Sequence, residues 1–329
     1  LHLYGVTVKE PETARVIAHV RELERVDEGN QVTLLLQQPE IQSRELKSIW
    51  HLLHQRFLCR PDLTTVPVRA SANDLTIHSR SGAVTFKDVD AWITPDEEAV
   101  EATIACLPAD SRYDSPINVR VRRDRSGKHP TTHWSLDTQG TTLPCSAVAD
   151  FIPQMEKLGA NAEFAGTLAW QLNADHWWID LGGSRFHEVS LDRIFERNSH
   201  RLSGTATIQF DRCRINPHSK QSDVSGSIIA NDGQIGRSLL LAATQNCGFE
   251  IRMQDRLLDQ YGDVPFDLLG LGFNINNAQL RLAGICRNEL GYEGFPSDVV
   301  LCLDGFPLVF SNEQTMDSLN ALRVVAPSY

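Results

Sequence analysis

Apolar residues recur at every second position along most of this chain, in runs of four to nine residues separated by turn-forming pairs. That period commits a segment to an extended conformation with one apolar and one polar face, so the core must be built from half-buried strands. Phe164, Gly166, Leu168, Trp170 and Leu172 alternate with polar neighbours, Asn173-Ala174-Asp175 supplies a turn, and Trp177, Ile179 and Leu181 alternate back. Pattern and turn chemistry together predict a β-hairpin. Leu202, Gly204, Ala206, Ile208 and Phe210 predict the next strand, and Val224, Gly226, Ile228 and Ala230 the one after it. Phe273 and Ile275 run into Asn276-Asn277, a pair that tolerates positive φ, and Ala278, Leu280, Leu282 and Gly284 return. In the first third the signal covers Val66, Val68, Ala70 and Ala72, then Leu75 and Ile77 after a turn at Asn73-Asp74, then Val84 and Phe86. Ile117, Val119 and Val121 pair with Trp134 and Leu136 across an Arg-Ser-Gly-Lys tip.

Short helices are predicted at five places. Ser43 is a candidate N-cap for a helix over about 43–60, whose Leu46, Ile49, Trp50, Leu53 and Phe57 fall at helical spacing and which Pro61 ends. Ser146 opens a second through Val148, Phe151, Met155 and Leu158, kinked at Pro153 and stopped by Gly159. Ser190 caps a short turn through Leu191 and Ile194, Arg237 to Asn246 forms a full helix ending at Gly248, and Asn312 caps a last one through Met316 and Leu319. So many one-sided strands with so few helices predict a mainly β protein built on a large antiparallel sheet. A sandwich, a closed barrel or a curled sheet folded over as a trough each covers the apolar face, and strand period alone leaves the three open. The strand-turn-strand units near 164, 204, 224 and 273 keep no fixed repeat length, which argues against a solenoid or a propeller.

Composition narrows function by exclusion. Apolar residues make up 41% and charged residues 22% of the 329 positions, a globular balance that excludes disorder, collagen and coiled coil as descriptions of the whole. A net charge of −11 argues against nucleic acid as a partner. No apolar run approaches the ~20 residues needed to span a bilayer. Among the seven cysteines no two are closer than sixteen positions, which excludes zinc ribbons, thioredoxin motifs and haem attachment. Most sit in apolar runs, as small buried hydrophobes do. No nucleophile-elbow, zincin, Walker or EF-hand pattern occurs, and Gly270-Leu271-Gly272 lacks the third glycine of a dinucleotide loop. The sequence points to no catalytic residue, no cofactor and no metal.

Three local features carry weaker readings. Asp88-x-Asp90 sets two carboxylates on one strand face, as an acid/base pair requires, or else marks a solvated face beside Val89 and Ala91. Alternation groups Trp177 with Ile179 and Leu181 and leaves Trp178 with Asp180, so Trp178 is the candidate platform for a sugar ring. Arg120, Arg122, Arg123 and Arg125, with Lys128, cluster at a hairpin tip that is either solvated or faces an anion such as a lipid headgroup.

Three stretches taken together resemble the AsmA-like family of envelope proteins. Leu1 to Val20 is similar to the family's opening strand pair with its Pro-Glu turn; Leu202 to Phe210, then Val224 to Gly236 and a Ser-Leu-Leu-Leu helix, resemble its later part; Leu271 to Gly284 resembles the strand-turn-strand near its C-terminal end. The resemblance implies an elongated, strongly curved antiparallel sheet forming a hydrophobic trough, with a few short capping helices. It implies a place in the periplasm, anchored to the inner membrane by an N-terminal helix outside this chain. The implied role is outer-envelope assembly and, in longer members, phospholipid transfer along the groove. Phospholipid or another envelope lipid, and inner-membrane or envelope assembly proteins, are the implied partners; no catalytic motif carries over. On this reading residues 1–145, with the helix at about 43–60, and residues 146–329, with the short helices, are two β-groove parts. The groove is assigned to Phe164, Leu168, Trp170, Ala206, Ile208, Phe210, Ile228, Phe273 and Ile275. The chain is short beside members that bridge two membranes. The alternatives are a β-module that fills its trough with its own side chains and a carbohydrate-binding or carbohydrate-active protein using Trp178 with Asp88, Asp90 or Asp180.

Overall fold

The computed structural model describes residues 1–60, 62, 65–111, 115–173, 176–196, 200–219, 221–252, 262–287, 296–312 and 314–319. Pro61, Ala174 and Asp175, all invoked above, lie outside the described residues. Among the described residues strand accounts for 58% and helix for 16%, in one large mixed sheet of 21 strands that does not close. The chain divides into two compact units, residues 1–156 with 163–179 and residues 157–162 with 180–329.

The first unit contains, in chain order, β1 (His2–Lys9), β2 (Val16–Asp27), β3 (Val32–Gln42), α1 (Leu46–Leu52), β4 (Val68–Ser79), β5 (Gly82–Pro95), β6 (Ala99–Pro108), β7 (Ile117–Asp124), β8 (Thr131–Asp137), β9 (Leu143–Pro144), β10 (Glu163–Ala165) and β11 (Thr167–Leu172). Strands β1 to β3 are antiparallel neighbours. β3 then pairs in parallel with β4, from Val32 opposite Val68 to Gln42 opposite His78. That pair corrects the all-antiparallel expectation. A parallel neighbour needs a crossover of a dozen or more residues, and the predicted helical segment supplies it. The segment is broken into a 3-10 turn at Ser43–Glu45, α1, and a wider π-type turn at Leu53–Leu58. Ser43 does not cap it, because its hydroxyl is taken by the Asp150 carboxylate. From β4 to β8 each strand pairs antiparallel with the next, and β8 pairs with β11.

Asn73-Asp74 is not a turn: Ala72 pairs with Val89 and Asp74 with Lys87, so β4 runs straight through. The ladder hydrogen bonds on both sides of β4 outweigh the local turn preference of that pair. β9 pairs with β10, and the predicted second helix is reduced to 3-10 turns at Cys145–Ala147 and Pro153–Leu158. Pro153 has no N–H to continue an α-helix begun at Ser146. After β11 comes β12 (Trp177–Asp180), and between them the Asn173 N–H donates to the His176 carbonyl at 3.0 Å.

The second unit contains β13 (Arg185–Ser190), α2 (Leu191–Phe195), β14 (Leu202–Asn216), β15 (Gln221–Gly236), α3 (Arg237–Cys247), β16 (Glu250–Ile251), β17 (Asp263–Asn276), β18 (Gln279–Gly284), β19 (Val299–Leu303), β20 (Phe306–Phe310) and β21 (Thr315–Asp317). β13, β14, β15 and β17 are consecutive antiparallel neighbours. Beyond β17 the pairing is shared, with β18 on its C-terminal half and β19 at Leu268 and Leu269. Asn277, at φ +56, makes the predicted turn between β17 and β18. The helix expected from Arg237 is present as α3: Leu239, Leu240, Ala243 and Cys247 are its buried stripe, and Gly248 at φ +68 ends it. Of the helix expected after Asn312, residues 315–317 are instead β21, where Met316 pairs with Leu280 of β18, and helical backbone begins only at Ser318 and Leu319.

Candidate functional site

Register converts the alternation into rows that run across the strands. In the first unit Leu34, Ala70, Ala91, Ile104, Val119, Leu136 and Leu168 stand opposite one another from β3 to β11, an unbroken apolar row seven strands wide. At the usual ~4.8 Å between strands the row is roughly 29 Å long. Its other residues are half-buried, and Ile104 is exposed, at 37%. The next row, which includes Ile93, Ala102, Val121, Trp134 and Trp170, is covered: Trp50, Leu53 and the fully buried Leu58 pack onto it from the helical crossover. Trp50 lies 4.3 Å, ring to ring, from Trp134, which lies 6.2 Å from Trp170. On the other side Leu36, Ala72 and Val89 enter a core with Ile77, Phe86 and Ala147. Toward β2 the row ends at Arg25, opposite Leu34, whose guanidinium donates to Asp27 at 2.9 Å.

In the second unit Ile208, Ile228 and Leu271 form the corresponding half-buried row, with Phe186 on β13 and Gly284 on β18 at its ends. Ala206, Ala230, Leu269 and Leu301 are a buried row on one side. On the other side come Phe210, Gly226, Phe273 and Leu282, then Cys213, Val224, Ile275 and Leu280. Gly226 is required where it stands: a Cβ there would collide with the Gln209 carbonyl and come within 3.0 Å of Phe273. Its bare backbone lets Phe210 meet Phe273 edge-on at 6.0 Å, and Phe186 meets Phe210 at 6.3 Å. Over the Ile208 row α2, α3 and the β19–β20 hairpin border a half-open cavity of about 310 Å³. Its lining, which includes Ile194, Ile208, Ile228, Leu240, Leu271, Val300 and Val309, is apolar throughout.

Of the nine residues assigned to a groove from sequence, Ile208 and Ile228 line this cavity. Phe210 and Phe273 continue the same face, Ile275 follows one row further, and Ala206, 1% exposed, belongs to the buried row. In the first unit Leu168 closes the half-buried row, Trp170 stands in the covered one, and Phe164, 5% exposed, packs opposite Leu143. Leu34, Ala70, Ala91, Ile104, Val119, Leu136 and Leu271 are the row members outside the groove set read from sequence. Alternation marked several of their strands, though not those of Leu34 and Ile104, and only register shows which residues share a row.

No family model, curated protein or solved structure matches this chain. The functional reading therefore rests on the face itself and on the state of the competing sites.

Those competing sites are occupied by internal contacts. Asp88, at φ +50, forms a bulge against β6, and Asp90 accepts from Arg69 at 2.7 Å and from the Trp92 indole at 2.9 Å. The tryptophan assignment is reversed: Trp177 is 42% exposed, whereas Trp178 is half-buried and donates its indole N–H to Gln171 at 2.8 Å. That hydrogen bond decides which indole turns inward. Asp180 accepts from the Gly182 N–H at 2.9 Å. In the basic cluster Arg120 donates to Glu101 at 2.5 Å, Arg122 lies 3.6 Å from the same carboxylate, Arg123 donates to Thr132 at 2.8 Å, and Arg125 donates to the Leu58 carbonyl. Burial pushes the Cys106 thiol up to about 11 and, with Glu163 nearby, the Cys145 thiol to about 12, which suits the small-hydrophobe role expected for them. Among the described residues no three His, Cys, Asp or Glu side chains group as a metal site would require, and no helix is long and apolar enough to cross a membrane.

Proposed function

We propose that this chain is a non-enzymatic lipid-handling protein of the AsmA-like type. It receives the acyl chain of a phospholipid or other envelope lipid against its apolar sheet face and supports outer-envelope assembly from the periplasmic side of the envelope. The trough and the membrane anchor implied by the family resemblance belong to this proposal. The observation that carries it is the apolar cavity of about 310 Å³ over Ile208 and Ile228. A half-open apolar hollow has no polar group to hold water in place, and a contiguous apolar surface left facing solvent marks a binding site. A methylene entering it gains about 0.8 kcal/mol, so an acyl chain is held with no polar chemistry at all. The volume is at the lower end of small-ligand pockets, about 300–1,000 Å³. The half-buried row of the first unit offers the same chemistry over a longer path.

The test is organic extraction of the purified protein followed by mass spectrometry, together with uptake of a fluorescent polyene fatty acid after delipidation. The wild type should carry lipid and take up the probe. Ile208→Asp should lose both, and Thr207→Asp, which places the same charge beside Glu188, Asn231 and Asp232 on the opposite face, should keep both. Neither lipid nor probe uptake in a folded wild type would leave the self-filled β-module as the reading; bound glycan would favour the carbohydrate alternative.

A further inference from the structure

We propose that Cys286 and Cys302 are a redox-sensitive thiol pair that closes to a disulfide between the end of β18 and β19. Both side chains are buried, at 0% and 1% exposure, in one apolar cluster with Leu268, Val299 and Phe310. The geometry of β17 brings them together. Cys302 stands directly opposite Leu268 in the β17–β19 pairing, and Cys286 Sγ lies 3.9 Å from the carbonyl oxygen of that same Leu268. Gly270 opens the seat for Cys286, since a Cβ there would lie 3.2 Å from its sulfur. Gly284 fixes the approach from the other side, because a Cβ there would collide with the Asp298 carbonyl just ahead of β19. The two side chains meet on one edge of β17, Cys286 just past the β18 ladder and Cys302 within the β19 ladder. The nearness of Cys302 and burial push the Cys286 thiol well above the ordinary range, while the nearness of Cys286 pulls Cys302 down. Cys302 stands on β19, the strand that must open to admit an oxidant, so it is the attacking sulfur and Cys286 the resolving one.

The oxidant is a low-molecular-weight disulfide such as oxidised glutathione. The Cys302 thiolate attacks one glutathione sulfur, the glutathione S–S bond breaks, and the first glutathione leaves as a thiolate that takes up the Cys302 proton from solvent. Cys286 then attacks the Cys302 sulfur of the mixed disulfide, and its proton goes to the second departing glutathione. The pair is oxidised by two electrons and one glutathione disulfide is reduced to two thiols. Because both sulfurs are buried, the first attack requires β19 to open locally, so the rate follows that opening.

The experiment incubates the native chain with oxidised glutathione, blocks the remaining thiols in denaturant, digests the product and maps disulfides by mass spectrometry. The expected result is a linked pair of peptides carrying Cys286 and Cys302, reversed by dithiothreitol. In a Cys286→Ser chain, Cys302 should instead be trapped as the glutathione mixed disulfide. Recovery of Cys286 and Cys302 both alkylated from the native oxidised protein, or each bridged to a different cysteine, would overturn the proposal.

Discussion

The two units carry the same element, a half-buried apolar row flanked by better-buried ones, and cover it differently. In the first unit the cover descends on the neighbouring row, where Trp50, Leu53 and Leu58 pack against Ala102, Val121 and Trp134. The row through Ile104 is left half-buried across seven strands. In the second unit the cover reaches over the row itself: α3 and the β19–β20 hairpin face Ile208, Ile228 and Leu271 across an apolar void of about 310 Å³. In the first unit Trp50 and the fully buried Leu58 pack onto the sheet itself; in the second the covering side chains, among them Phe195, Leu240, Phe249 and Val309, line the walls of the pocket and leave the space above Ile208 and Ile228 unfilled.

The sharpest break of this comparison places a charge in each kind of row of the first unit. Val121→Asp buries a carboxylate under the helical cover without a partner, which should cost about 4 kcal/mol or more and abolish the unit's protection in peptide-resolved hydrogen exchange. Ile104→Asp, in the half-buried row, keeps its carboxylate within reach of water and should cost about 1 kcal/mol or less. Equal losses at the two positions would mean that the row through Ile104 is core and no binding surface.

Next in size is truncation of the cover. Leu58 is fully buried against Val100, Ala102 and Val121, so Leu58→Ala should cost about 2–5 kcal/mol. The loss should appear in exchange at β6 and β7, with the β14–β15 peptides of the second unit unchanged. A chain-wide loss would show that the two units unfold as one.

Much of this was legible in the sequence, and the failures share one cause. Strand identity followed from alternation over much of the chain, though not for β3, β6, β19 and β20, and the hairpins at the Arg-Ser-Gly-Lys tip and at Asn276-Asn277 from turn chemistry; Val121 does pair with Trp134 and Val119 with Leu136. Helix α3 was equally plain, because its buried stripe and its glycine stop are both local. The β3–β4 parallel pair was not legible, since it depends on a crossover 25 residues long, residues 43–67, and no local signal states where a returning strand will dock. That one pairing places Leu34 beside Ala70, so the full row through Ile104 was hidden with it. The turn preference of Asn73-Asp74 and the inward reading of Trp177 failed for the same reason: a ladder on both sides and one indole hydrogen bond outweighed the local pattern. For the site, the six residues placed on the second unit's sheet do share one face, but a cavity depends on what stands opposite, which sheet periodicity does not report.

A smaller effect tests whether the void is real by filling it. Val300, 5% exposed, lines the cavity, and Val100, fully buried, sits under the first unit's cover. Adding a ring at Val100 forces the covering leucines off their rotamers, so Val100→Phe should cost about 1–3 kcal/mol. Val300→Phe has an empty space to enter and should leave stability unchanged or raise it, while displacing the fluorescent fatty acid. Thermal melts and probe uptake on the two variants settle the point. A Val300→Phe chain as damaged as Val100→Phe would mean that the second unit's cover is close-packed after all.

The smallest effect is electrostatic and belongs to the first unit's cover alone. His54 stands in the π-type turn, its ring 5.2 Å from Trp50 and its nitrogens 3.6 Å from the Cys59 sulfur. Burial, then the charges of Arg123 and His51, hold its pKa below the ordinary 6.5. The sign follows from linkage: the folded state binds fewer protons than the unfolded state once pH falls below the unfolded value, so each step downward favours unfolding. The contribution is therefore complete above about pH 6.5 and is lost as pH falls from there through the folded pKa. The imidazole is half-buried, so solvent screens much of the penalty, and the expected loss is a fraction of that from Leu58→Ala. Exchange protection of the crossover residues should decline between about pH 7 and 5 after correction for intrinsic rates, and His54→Gln should flatten that slope while the α3 peptides of the second unit respond to neither change. An unaltered slope in His54→Gln would assign the pH response to another group and remove His54 from the account of how the first unit keeps its cover closed.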